Sequence, residues 1–291
     1  MKEAPLMKST SGIRGIVGHS LEPSVITDYA AAFGKLCRKG IVIVGRDSRP
    51  SGEMYSRLVT SILAMTGCRV IDVGIVPTPT IALTVMTHEA AGGIAITASH
   101  NSAEWNALKF FSDKGEFITT RQYNRLEDTV AARSWNFMPF NRLGTIERDD
   151  AAIQRHIRNV IRVKAISTAR IKDAGFKVVV DAINGSGSEA LPEFLEKLGV
   201  RVVRINCKND GDFIRKPEPV PENLKELGMA VKRHRADLGM ACDPDADRLA
   251  LVDENGRPIG EELTLALAVA YYLRKKKGPV VVNLSTSRVT A

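Results

Sequence analysis

Short β-branched runs alternate with stretches of helical spacing along most of this chain, and that alternation restricts the fold more than any other feature. Ile41-Val42-Ile43-Val44, Arg69 to Val73, Gly93-Ile94-Ala95-Ile96-Thr97, Lys177 to Val180, Arg201 to Ile205 and Asp237 to Ala241 read as strands. Between them Ile26 to Lys39, Gly52 to Met65, Pro77 to His88, Thr120 to Arg133, Asp149 to Val163 and Pro221 to Arg235 carry helical spacing or helix-start signals. Strand and helix in succession require crossovers, so the expected class is α/β: consecutive three-layer α/β/α domains with mixed, mostly parallel sheets.

A chain of 291 residues exceeds one compact domain and suits two or three. Trp135 to Gly144 changes composition, with a proline and two asparagines, and sets the expected boundaries at 1–147 and 148–256. From 257 to 291 a third unit opens with Gly260-Glu261-Glu262, a helix from Leu263 to Lys276 and a strand from Val280 to Leu284. One helix and one strand cannot bury each other's faces, so this third domain is expected to be truncated.

The hydrophobic share of 44% and charged share of 25% are those of a soluble globular protein. With no bilayer-length apolar stretch and no apolar leader, the expectation is a cytoplasmic protein with no membrane partner. Lys plus Arg at 41 against Asp plus Glu at 33 leaves +8, which favours anionic partners. The charge is scattered, Arg274-Lys275-Lys276-Lys277 merely closes a helix, and aromatic content is 5%, so no nucleic-acid partner is expected. A small phosphorylated substrate draws on the same excess. Cys37, Cys68, Cys207 and Cys242 lack metal-ligand or redox spacing and read as reduced, mostly buried thiols.

The chemistry concentrates where the Asp237 strand ends, in Asp243-Pro244-Asp245-Ala246-Asp247-Arg248. Three carboxylates at alternate positions converge if the segment is a strand or tight turn. They then need a cation between them, and all-oxygen ligation without His or Cys suits a hard divalent ion such as Mg²⁺. Arg248 stands at the rim with a fork suited to phosphate. Other readings compete. An EF-hand loop would place Glu254 as its bidentate ligand, but Arg248 holds the turn glycine's position. A phosphatase loop with Asp243 as nucleophile stays open, as does an acidic solvated turn.

Upstream, Ser9-Thr10-Ser11-Gly12-Ile13-Arg14-Gly15-Ile16-Val17-Gly18 reads as a hydroxyl- and glycine-rich loop. It serves equally as a phosphate cradle with Arg14 or as an ordinary turn. In Gly45 to Gly52, the charges of Arg46, Asp47 and Arg49 read as scaffold pairing. The Gly93 strand runs into Ala98-Ser99-His100-Asn101-Ser102 and on to Phe111, placing Ser99 at the carboxyl end of the sheet. A nucleophile and a turn serine are both consistent with that position, since the spacing is not that of a Gly-x-Ser-x-Gly elbow. Asp181-Ala182-Ile183-Asn184-Gly185-Ser186-Gly187-Ser188 lacks the full dinucleotide fingerprint. Arg215 and Lys216 read as solvated loop charge.

Thr97-Ala98-Ser99-His100-Asn101 with Asn106 and Lys109, Thr10 to Gly15 upstream and Asp243 to Arg248 downstream together resemble the α-D-phosphohexomutase family. That family includes phosphoglucomutases, phosphomannomutases and phosphoglucosamine mutases. The three motifs fall in the family's order and span essentially the whole chain. Ser102 stands where a proline is usual and Ala107 where glycine is frequent. Both substitutions bear on the loop's stiffness more than on its chemistry.

The resemblance implies a phosphorylated Ser99 whose phosphate joins Asp243, Asp245 and Asp247 around Mg²⁺. It implies Lys109 and His100 beside the transferring group, with Arg14 and Arg248 gripping phosphoryl oxygens and Asn101 and Lys109 among the substrate contacts. The implied activity interconverts hexose 1-phosphate and hexose 6-phosphate through a bisphosphate, and the serine and acidic segments are expected to meet across a cleft. Turnover by these residues alone is expected to be poor, since the family's sugar-recognition and phosphate-binding loops lie in further domains. A magnesium-dependent sugar phosphatase using Asp243 is the alternative enzyme, and a non-catalytic sugar-phosphate binding protein the third reading.

Overall fold

The computed structural model describes residues 5–282 and 286–287. It divides into two compact units, Met1–His156 with Asp210–Asp212, and Ile157–Asn209 with Phe213–Ala291.

The first unit runs β1 (Met7–Ser9), β2 (Gly12–Ile16), α1 (Pro23–Leu36), β3 (Ile41–Arg46), α2 (Pro50–Met65), β4 (Arg69–Ile75), α3 (Thr78–Thr87), β5 (Gly92–Ile96), β6 (Trp105–Phe111), α4 (Thr120–Ala131) and β7 (Ile146–Arg148). Its strands form one sheet in the order β1-β2-β6-β5-β3-β4-β7. From β5 through β3 and β4 to β7 the neighbours are parallel, as the alternation implied. From β1 through β2 and β6 to β5 they are antiparallel. The strand period of two sorts residues to opposite faces. Val42 and Val44 pack with Phe33 of α1 and Val59 and Leu63 of α2. Ile43, between them, packs with Ile81 and Val85 of α3. Each such buried aliphatic or aromatic side chain contributes roughly 1.5–3 kcal/mol, so helices on both faces make the sheet the middle of three layers. Proline in the first turn starts α1, α2 and α3, and a Thr119–Gln122 capping box starts α4.

α5 (Ala152–Ile161) carries the chain into the second unit, followed by α6 (Thr168–Ala174), β8 (Lys177–Asp181), α7 (Gly187–Lys197), β9 (Arg201–Ile205), α8 (Lys225–His234), β10 (Leu238–Cys242), β11 (Leu249–Val252) and α9 (Glu261–Lys275). The strand order is β11-β10-β8-β9, with β8 parallel to both neighbours and β11 antiparallel to β10. Val179, Ala241 and Ala250 face Leu227 and Val231 of α8. Val178 and Val180 face Leu195 of α7 on the other side, giving three layers again. Among the described residues no helix is long and apolar enough to cross a membrane. The four cysteines are free thiols, Cys207 half-buried and the others buried.

Several segments depart from expectation. The Ser9–Gly18 loop is largely a hairpin of β1 and β2, and Trp105 to Phe111 is an interior strand where a loop was expected. Asn106 and Lys109 interrupt its apolar run, yet both are buried, which is why polarity patterning passed over it. β7 and α6 are short and mostly exposed, so they carry little periodicity. Val280 to Val282 form no strand, and Asn283 and Leu284 of that expected strand lie outside the described residues.

Gly12 marks the closest approach within the first sheet. At φ +122°, a Cβ there would overlap the Leu108 carbonyl oxygen of β6, one residue before Lys109. Gly12→Ala is expected to destabilise the first unit by about 1–3 kcal/mol, read as a lowered urea midpoint. An unchanged midpoint would show that β2 and β6 separate without loss.

His156 on α5 lies with Nδ1 2.8 Å from Thr80 Oγ1, and burial holds its pKa below the ordinary 6.5. The unfolded chain therefore takes up that proton first as pH falls. The stabilisation is complete above about pH 6.5 and is lost as pH falls toward the folded pKa. The first unit should melt at lower temperature at about pH 5 than at about pH 7, and His156→Gln should flatten that dependence.

Candidate functional site

In the first unit the parallel sheet places a loop beyond β5. Ser99 is buried there in a left-handed conformation, at φ +49°. Such a non-glycine conformation holds only where the surroundings fix it. Its amide donates to Thr97 Oγ1 at 3.0 Å, and Thr97 Oγ1 donates to Asp47 Oδ2 at 2.6 Å. Ser99 Oγ and His100 Nδ1 are 3.4 Å apart. Arg14 on β2 donates from Nη1 to Asn101 Oδ1 at 2.6 Å. β6 lies between these segments, pairing Ala107 with Arg14 on one side and Lys109 with Ala95 on the other. Lys109 is buried, with Nζ 6.0 Å from the Phe117 ring centroid. Asn106, fully buried, donates to Ser51 Oγ at 2.9 Å and accepts from the Ala107 amide at 2.8 Å.

Arg14, Ser99, His100 and Asn101 are thus brought together by side-chain hydrogen bonds or sequence adjacency, and Lys109 sits on the strand between them. Ser102 donates to Glu104 at 2.7 Å. That bond, above all, holds the Glu104 carboxyl below its usual range. The serine thus tethers the loop through its side chain, as a proline there could not.

In the second unit β10 delivers Asp243, Asp245 and Asp247 as a tight turn, closed by the Ala246 amide to the Asp243 carbonyl at 3.0 Å. One carboxylate oxygen from each lies within 4.8 Å of the others, and among the described residues this is the one such cluster. Asp243 and Asp245 are buried and Asp247 is exposed. Asp243 Oδ1 accepts from the Arg248 amide at 3.2 Å, and Arg248 Nη1 donates to Glu218 Oε1 at 3.2 Å.

Two neighbours hold this turn from behind. Ser186 donates to the Pro244 carbonyl from both amide and hydroxyl, at 2.9 and 3.1 Å. A Cβ at Gly185 would lie 2.7 Å from that same oxygen. The Asp181–Ser188 loop thus buttresses the acidic turn. Arg215, expected as solvated loop charge, has a side chain only 8% exposed and bonds Asp181 Oδ2 at 2.9 Å and the Cys242 carbonyl at 2.7 Å. Its charge balances buried Asp181, which pairs in register with Ala241, two residues before Asp243.

Three carboxylates this close, two of them buried, are mutually repulsive without a cation, and oxygen-only donors match a hard divalent one. The residues therefore fit such a metal. The EF-hand reading fails because Leu249–Val252 pair with β10 as β11, leaving Glu254 exposed in the turn beyond.

Residues 6–137 match the profile described as phosphoglucomutase/phosphomannomutase, alpha/beta/alpha domain I, and residues 154–256 match domain II. A phosphoglucomutase/phosphomannomutase of Thermococcus kodakarensis is 38% identical over 289 residues, covering 96% of this chain and 62% of the relative. A protein of Pyrococcus abyssi named "Probable phosphoglucosamine mutase" is 36% identical over 276 residues, 94% of this chain and 60% of its own length. Among solved structures, a phosphoglucomutase/phosphomannomutase family protein of Burkholderia thailandensis superposes with TM-score 0.78 at 27% identity, covering 92% of this chain and 60% of its own.

The two consecutive α/β/α units, one presenting a serine loop and the other an acidic turn, are those of a phosphohexomutase, and the chain belongs to the α-D-phosphohexomutase family. It spans about 60% of the length of the relatives it matches.

Proposed function

We propose that this chain is the phosphoryl-carrying part of an enzyme that interconverts hexose 1-phosphate and hexose 6-phosphate through a hexose bisphosphate. The observation that carries the reading is the buried, left-handed Ser99 held among Arg14, His100 and Asn101, in a chain that also carries a buried acidic triad. The relatives' names span glucose, mannose and glucosamine phosphates. A hexose phosphate is accordingly the substrate class, and the charge balance of +8 suits it. We take 1–147 and 148–256 as the first two domains and 257–291 as the opening of a third.

In this reading Ser99 stores the phosphoryl group. A sugar hydroxyl oxygen forms a bond to phosphorus as the bond to Ser99 Oγ breaks, and the hydroxyl proton passes to a neighbouring base, with His100 and Lys109 the candidates. Arg14 and Arg248 grip phosphoryl oxygens, while Asn101 and Lys109 orient the substrate. Return of the sugar's other phosphoryl group to Ser99 Oγ completes the exchange. Asp243, Asp245 and Asp247, with an oxygen of the Ser99 phosphate, would hold Mg²⁺. When bound, the ion supplies positive charge against the phosphoryl oxygens. Everything else is positioning by the protein.

Incubation with glucose 1,6-bisphosphate and Mg²⁺, followed by peptide mapping, tests the proposal. One phosphate on Ser99 supports it. A base-labile acyl phosphate on Asp243 supports a phosphatase in its place, and no phosphate on either removes both.

A further inference from the structure

Both functional loops are gripped by the same device. Arg49, fully buried, is ion-paired to Asp47, also buried. Its Nη2 donates to the backbone carbonyls of Ser99, at 2.8 Å, and Asn101. Asp47 in turn accepts from the Arg49 amide at 2.9 Å and from Thr97 Oγ1, the group that receives the Ser99 amide. The Arg49–Asp47 pair thus reaches Ser99 from both sides of its peptide plane pair, through the carbonyl directly and through the amide by way of Thr97. In the second unit Arg215 repeats the arrangement, pairing with buried Asp181 and donating to the Cys242 carbonyl immediately before Asp243.

A buried ion pair is weak evidence for stability, because desolvation offsets most of its attraction. Its orientation is what distinguishes this one: the guanidinium fork is directed at the main-chain oxygens of the strained Ser99 and of Asn101 rather than at solvent. A left-handed serine is disfavoured relative to the right-handed form, so the loop relaxes unless something holds it. A planar fork with several donors can bond a carboxylate and two carbonyls at once, whereas an ammonium presents a single centre.

We infer that Arg49, with Asp47, is a positioning pair that sets the conformation of Ser99 and thereby the rate at which its hydroxyl accepts and releases phosphate. The inference rests on the proposed phosphoryl-carrying role of Ser99, and its structural half can be read without that role.

Arg49→Lys keeps the charge and removes the fork. The maximal rate of Ser99 phosphorylation by glucose 1,6-bisphosphate should fall about 10- to 100-fold, the scale of a small misplacement of reacting atoms. The bisphosphate concentration giving half that rate and the Mn²⁺ affinity of the chain should not change. Amide hydrogen exchange in the peptide spanning 97–103 should accelerate, with the rest of the first unit unaffected. Should Arg49→Lys fail to fold, Arg49→Gln combined with Asp47→Asn removes both charges while keeping polar partners, and the same readouts apply. A variant that phosphorylates Ser99 at the wild-type rate overturns the inference. Should wild-type protein take up no phosphate, the carrying role fails; exchange then decides the positioning claim, and unchanged exchange at 97–103 overturns it.

Discussion

Ser99→Ala is expected to abolish phosphate uptake from a hexose bisphosphate, by a factor on the order of 10⁴ or more, the scale on which removal of an attacking group acts in enzymes. Alanine is otherwise a mild change at this position. It retains the Cβ, so it meets the same left-handed backbone penalty as serine. It also retains the amide bond to Thr97 and the carbonyl that accepts from Arg49, because both are main-chain groups. What it removes is the hydroxyl facing His100 Nδ1. Melting temperature should therefore move little while phosphorylation vanishes. Residual phosphate at another residue of the variant would show that Ser99 was not the carrier.

Asp245→Asn is expected to have the second largest effect, and in two opposite directions. With two buried carboxylates and a third oxygen within 4.8 Å, each like-charge pair repels by about 3 kcal/mol at an effective dielectric near 20. Neutralising one carboxylate relieves that repulsion, so in chelator the variant should melt at higher temperature than wild type. In Mg²⁺ the order should reverse, because a lost carboxylate ligand weakens binding by at least about 100-fold, more than the 10–100-fold that outer-shell partners contribute. Titration with Mn²⁺, followed by electron paramagnetic resonance, reads the affinity directly. Equal Mn²⁺ affinity in the two proteins would mean that the acidic turn is a solvated feature and not a metal centre.

Much of the architecture was legible because it rests on period and order. The Ile41 and Gly93 strands and the helices between them have unambiguous patterns, and the parallel half of the first sheet follows from them. The acidic triad was legible because its chemistry sits in five consecutive residues. The antiparallel half was not, since β6 buries Asn106 and Lys109 inside an otherwise apolar strand. A pattern that treats polar residues as exposed reads such a segment as loop. The same rule explains why Arg49 and Arg215 were passed over as grips on the two loops. Their partners lie 50 and 27 residues away at Ser99 and Cys242, and only tertiary structure shows a buried arginine meeting a backbone carbonyl. The Asp181–Ser188 loop, which lacks the full dinucleotide fingerprint, owes its glycines to close approach, Gly185 against Pro244 and Gly187 against the Cys242 sulfur.

The fate of the stored phosphate tests the account most directly. Chain labelled with ³²P on Ser99 should be chased with glucose 6-phosphate in Mg²⁺ and the products separated. A phosphoryl carrier should pass its label to the hexose bisphosphate, with transfer suppressed in chelator and in Asp245→Asn. Label appearing only as inorganic phosphate, released at the same rate with or without the sugar, would contradict it.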